Sequence, residues 1–131
     1  MRSTQQLIGE ASQINAYLVR EAANDLPTLM NTLVKLESYA ARAHEMLAEA
    51  KSIKDETTRT IIEKDLFPDG LTPAIKAKYL NACLKDENYA IELIEGICSS
   101  VSDIMDSRRT RISAMKEELR QLRTPDMYRD R

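Results

Sequence analysis

Between Leu26 and Ala50 the residues Leu26, Leu29, Leu33, Leu36, Ala40, Ala43, Leu47 and Ala50 recur at alternating steps of three and four. This alternation constrains the fold more than any other feature of the chain. Its mean step of about 3.5 residues keeps one stripe of an α-helix turned toward a partner helix, whereas a strand, with a period of two, would scatter the same residues over both faces. A second run, Leu80, Leu84, Glu87, Ile91, Ile94, Cys98, Val101, Met105, Arg108, Ile112, Met115, Leu119 and Leu122, keeps the same alternation with only Glu87 and Arg108 charged. Three glycines, no tryptophan and 5% aromatic residues argue against a sandwich, a barrel or a nucleotide-binding sheet. The expected class is all-α.

Local punctuation divides the chain. A stripe of Leu7, Ala11, Ile14, Leu18 and Ala22 predicts a first helix over about residues 4–24, and Asn24 or Asp25 ahead of Pro27 marks the start of a second over about 26–66. Thr57, Thr58 and Thr60 lower helix propensity near its end. Phe67-Pro68-Asp69-Gly70-Leu71-Thr72-Pro73 reads as a turn at 67–72 followed by an N-cap and a first-turn proline. A third helix then runs over about 73–123, and Thr124-Pro125 leaves a frayed tail at 124–131.

So short a connection folds the second and third helices into a long antiparallel hairpin within one helical domain. Counted outward from the turn, Arg108 falls opposite Asn31 and Glu87 opposite Ser52, with Leu122 reaching back toward Tyr17. The first helix either continues the arm or folds onto it. Two helices bury a single seam, so the flanking residues Val34, Tyr39, Met46, Tyr89, Ile97 and Ile104 are expected at the surface, as the interface of a helical-bundle homo-oligomer.

Little in the chain suggests chemistry. His44 is the sole histidine, without HExxH or paired Glu-x-x-His spacing, and reads as a solvated helical residue. Glu92 and Glu95 lie one turn apart with no third group converging on them. Asp65, Asp69 and Gly70 lack the alternating ligands of a calcium loop, and no phosphate-binding glycine motif or nucleophile elbow occurs. Cys83 and Cys98, about 22 Å apart on a continuous helix, are expected as core thiols of a reducing compartment. With no apolar run of membrane-spanning length and no leader pattern in Met1 to Glu10, the expectation is a cytoplasmic, non-enzymatic protein with no metal, cofactor or membrane partner.

Charge is distributed unevenly. Residues 1–106 carry 11 Lys and Arg against 17 Asp and Glu, while Ser107 to Thr124 carries Arg108, Arg109, Arg111, Lys116, Arg120 and Arg123 against Glu117 and Glu118 alone. Cations near a helix C-terminus complement its dipole, which is the structural reading. Arginine forks also bind phosphate, so the same six residues form a candidate nucleic-acid-binding stretch. The acidic balance of the whole chain, net charge -2, and the lack of a stacking platform weigh toward a solvated or self-pairing face. Arg108 sits in the seam, where it serves as a register device or lines a basic opening in an oligomer.

Glu21-Ala22-Ala23-Asn24 at the head of a long helix, and Cys98-Ser99, Asp103-Ile104, Ser107-Arg108 and Ile112 farther on, resemble the recombination mediator family of tailed phages, the UvsY-like proteins. The resemblance covers residues 21–50 and 94–119. This chain is more acidic than the family, lacks tryptophan and has no match over residues 51–90. Members of that family are small helical proteins that form rings, bind single-stranded DNA and help load a recombinase. The resemblance therefore implies phosphate binding by Arg108, Arg109 and Arg111 and a phage or mobile-element role in DNA recombination. The alternative expectation is a coiled-coil scaffold or assembly chaperone that binds a protein partner and no nucleic acid.

Overall fold

The structure is a computed structural model that describes the backbone of residues 1–20 and 25–129 and the side chains of 1–18 and 25–123. It is all-helical, with no strand among the described residues: α1 (Thr4–Arg20), α2 (Leu26–Glu63), α3 (Pro73–Cys83) and α4 (Lys85–Arg129) pack against one another.

Local chemistry sets the boundaries. The Asp25 carboxylate caps α2 by accepting from the Thr28 backbone N–H at 3.2 Å and from its hydroxyl at 2.9 Å, which satisfies one of the donors a helix start leaves open. At the far end Asp65 adopts a left-handed conformation, φ 47°. The Leu66 N–H then donates back to the Ile61 carbonyl and the Asp65 N–H to that of Ile62, a Schellman closure that stops α2 at Glu63, before the expected 66. Gly70, at φ 80°, supplies the positive-φ step of the Pro-Asp-Gly turn. Thr72 then caps α3 by accepting from the Ile75 N–H at 3.3 Å.

The expected third helix is divided. Leu84 (φ -95°, ψ 14°) interrupts it between α3 and α4, although the Leu84 N–H still reaches the Leu80 carbonyl and the Asn88 N–H the Leu84 carbonyl. Leu84 is the first residue of this arm to be buried, and α3 has no buried residue to hold it on the axis of α4. The expected tail is corrected as well, because the α4 backbone continues through Pro125 to Arg129. Proline removes the N–H that would donate to the Gln121 carbonyl, which lies on an exposed turn where water can donate in its place. Residues 21–24, the end of the expected first helix and the first block of the family resemblance, lie outside the described residues, as do 130 and 131.

The α2 and α4 seams meet along their length. Leu29 packs with Ile112, beside Leu26, Leu33 and Met115. Thr32 meets Arg108, Glu37 meets Arg109 and Lys51 meets Glu95. At Arg108 the residue met on α2 is Thr32, adjacent in sequence to the expected Asn31.

α1 does not extend the arm but folds onto both helices. Leu7, Ala11, Ile14 and Leu18, with Tyr17, are buried in one cluster with Leu36, Ala43, Met46, Ala50, Ile94, Ile97, Val101 and Met105. Arg2 bonds Glu49 at 3.0 Å, Arg42 bonds Glu10 at 3.0 Å, and the Tyr17 ring lies 4.8 Å from that of Tyr39. This third helix overturns part of the expected interface. Met46 and Ile97 are 1% and 3% exposed, and Tyr39 and Ile104 are half-buried against the same cluster. The reason is that α1 supplies the apolar partner which a two-stranded hairpin lacks. Only Val34 and Tyr89, 67% and 54% exposed, stay at the surface. Tyr17 is accordingly not met by Leu122, which is itself exposed.

Candidate nucleic-acid interface

The α2 partner of α4 ends where α2 begins. Leu26 and Leu29 pack with Ile112 and Met115, and α4 continues fourteen residues beyond Met115 to Arg129, an overhang of about 21 Å. Its seam positions Leu119 and Leu122 are 54% and 70% exposed. The periodicity that marked them as core is intact, but among the described residues no helix covers them.

The six expected basic residues do not form one patch. Arg108 is 8% exposed, and its guanidinium donates to the Thr32 hydroxyl oxygen at 2.9 Å. That hydroxyl in turn donates to the Thr28 and Leu29 carbonyls. Arg108 is therefore a buried seam residue tied across to α2, with no face left for an external phosphate. Arg111 is exposed but lies on a different side of α4 from the rest. Arg109, Lys116, Arg120 and Arg123, spaced at seven, four and three, share one face, and all are exposed. Arg109 leans toward Glu37 (3.6 Å) and Asp106 (3.5 Å), and Arg120 toward Glu117. Such exposed pairs are weak and readily exchanged for a phosphate. Lys116, Arg120 and Arg123 line a shallow depression together with Leu119.

The other singled-out residues stay apart. His44, Glu92 and Cys83 are exposed, and Glu95 faces Lys51 at 3.9 Å. Among the described residues no group of three His, Cys, Asp or Glu is arranged to hold a metal ion. Cys98 is half-buried beside the core, and burial, with Glu95 nearby, pushes its thiol pKa up. On α3 the exposed Cys83 hydrogen-bonds the Tyr79 phenol and raises its pKa.

Sequence reasoning missed one charged constellation. Arg2 reaches Glu10, Glu45 at 3.8 Å and Glu49 at 3.0 Å, joining α1 to α2. The Glu49 bond foremost holds the Arg2 guanidinium pKa above its ordinary value. Glu10, Glu45 and Glu49 are separated by thirty-five and four residues, so only the docking of α1 could reveal the cluster. The exposed Met30 beside Val34 was also missed.

The chain matches no protein-family model, no curated protein and no solved structure. Among the described residues, no helix is long and apolar enough to cross a membrane.

Proposed function

We propose that this protein is a non-enzymatic, self-associating helical accessory protein, built on an antiparallel α2–α4 hairpin, that binds single-stranded DNA through the basic end of α4. The observation that carries this reading is the cationic face formed by Arg109, Lys116, Arg120 and Arg123 on a helix that outruns its partners. From Arg109 to Arg123 the face spans about 21 Å, enough for three or four successive phosphates of an extended strand. Without an aromatic platform in the described part of this face, affinity rests on phosphate contact and counterion release rather than base stacking. The resemblance to the phage recombination mediators points the same way, with one revision: Arg108 is a seam residue, and the phosphate role passes to Lys116, Arg120 and Arg123.

The test is titration of a labelled single-stranded oligonucleotide across salt, alongside the Lys116→Ala/Arg120→Ala/Arg123→Ala variant. With three or four phosphates neutralised, the logarithm of affinity should fall with a slope of about -2 to -3 per copy. That is a loss of roughly 20- to 60-fold between 50 and 200 mM salt. The variant should lose retention while keeping its helicity. No retention of wild type at low salt would overturn the reading. The exposed Met30, Val34, Leu119 and Leu122 favour the second reading in that case, a coiled-coil scaffold with a protein partner.

A further inference from the structure

We infer that Ser113 and Lys116 act together as one phosphate-anchoring pair on the cationic face of α4. The inference rests on the DNA-binding reading above and adds to it a residue that carries no charge. Along the face Lys116, Arg120 and Arg123 follow one another at about 6 and 4.5 Å, whereas Arg109 and Lys116 stand seven residues and about 10.5 Å apart. Three or four phosphates spread over the face lie roughly 5–7 Å from one another, so one falls in that gap. Ser113 occupies the gap, four residues after Arg109 and three before Lys116, and is exposed.

Side-chain direction decides which cation serves the gap. Long side chains on a helix lean toward its N-terminus, over the turn that precedes them. Arg109 and Arg120 show this lean in α4, each meeting an acid three residues back, Asp106 at 3.5 Å and Glu117 respectively. Arg109 also reaches Glu37 on α2 at 3.6 Å, so its guanidinium is drawn away from the gap. Lys116 has Ser113, not an acid, three residues back.

Both groups are open to a ligand. Among the described residues Lys116 makes no ion pair and the Ser113 hydroxyl no hydrogen bond, while the Thr110 hydroxyl, three residues earlier, donates to the Asp106 carbonyl at 3.0 Å. Glu117, four residues beyond Ser113, is held by Arg120. An ammonium and a hydroxyl three residues apart on one helix face can donate to two oxygens of a single phosphate, the charge supplying attraction and the hydroxyl fixing position.

The experiment is titration of a labelled oligothymidylate of about 16 nucleotides across salt. It compares the full wild-type chain with Ser113→Ala, Ser113→Thr, Lys116→Ala and the Ser113→Ala/Lys116→Ala double variant. Ser113→Ala should weaken binding about threefold to tenfold at every salt concentration and leave the slope unchanged, because a neutral donor releases no counterion. Alanine is the better helix former, so the melting temperature of this variant should not fall, which separates a lost contact from a lost fold. Ser113→Thr, which keeps the hydroxyl, should bind as wild type. In the Lys116→Ala background, where the slope is shallower by about 0.7, Ser113→Ala should cost less than about twofold. Wild-type affinity in Ser113→Ala, or the same loss with and without Lys116, would overturn the inference while leaving DNA binding by the face intact. Absence of any DNA binding by wild type would overturn both.

Discussion

Thr32→Val tests whether Arg108 is a structural residue. The substitution is nearly isosteric and removes the hydroxyl oxygen that accepts from Arg108 at 2.9 Å. It leaves both helices' backbone bonds in place. Thr32 is itself buried, as is Arg108, so the lost bond is one to a charged group without water at hand, at a cost of about 2 kcal/mol. For a chain of this length that lowers the melting temperature by roughly 6–10 °C, readable by circular dichroism. Arg108→Met is expected to be much milder, because the Thr32 hydroxyl keeps its bonds to the Thr28 and Leu29 carbonyls and methionine fills the seam. The double variant should then melt close to Arg108→Met, giving a coupling energy of at least ~1 kcal/mol between the two sites. Additivity, with the double variant falling to the sum of the two singles, would refute the cross-helix role. Arg108→Met should also retain DNA as well as wild type does, which separates the structural from the phosphate-binding assignment of this residue.

Leu7→Ala, at a fully buried position of α1, should cost about 3 kcal/mol and increase binding of a hydrophobic dye as α1 loosens from Tyr39, Met46, Ile97 and Ile104; an unfolding midpoint unchanged in urea would contradict the docking of α1. The bonds from the Thr28 hydroxyl and N–H hold the Asp25 carboxyl pKa below its ordinary value. Its capping contribution is therefore present above the ordinary carboxylate range and lost as pH falls through the lowered folded value. Asp25→Asn should accordingly flatten that part of the acid-unfolding profile, and an identical profile would count against the cap. At neutral pH a thiol reagent should label Cys83 promptly and Cys98 only slowly, since Cys98 is half-buried with a raised pKa; equal rates in single-cysteine variants would contradict the packing of α4.

The seam was legible because periodicity reports a single-chain property, the face a helix turns inward. Every residue of the α2 repeat from Leu26 to Ala50 is buried or half-buried, and so is every residue of the last repeat from Leu84 to Met115. Docking of α1 was not legible, since its stripe of Leu7, Ala11, Ile14 and Leu18 suits a continued arm as well as a fold-back. Expecting Met46 and Ile97 at a surface followed from that ambiguity, because each lies just off the seam, on the side that only a third helix covers. The break at Leu84 carried no proline or glycine signal either. It appears where burial begins, which depends on what α3 can touch.

Leu119 and Leu122 show where periodicity ends as evidence and register takes over. Nothing in their spacing separates them from Ile112 and Met115, and a helix partner is what decides whether a stripe is core or surface. Yet the pairing of Leu29 with Ile112, once known, fixes the outcome: α2 starts at Leu26, three residues earlier, so its cover extends three residues past Ile112 to Met115 and no farther. The same register moves Arg108 inside and leaves Lys116, Arg120 and Arg123 outside. A basic stretch that reads as six equivalent residues is thereby divided at the level of Leu26 into a buried arginine that holds two helices in step and an exposed cationic face beside two unpaired leucines. Charge and apolar surface coincide there because one helix is longer than its partner, and that difference in length is what turns the end of a structural seam into a candidate binding surface.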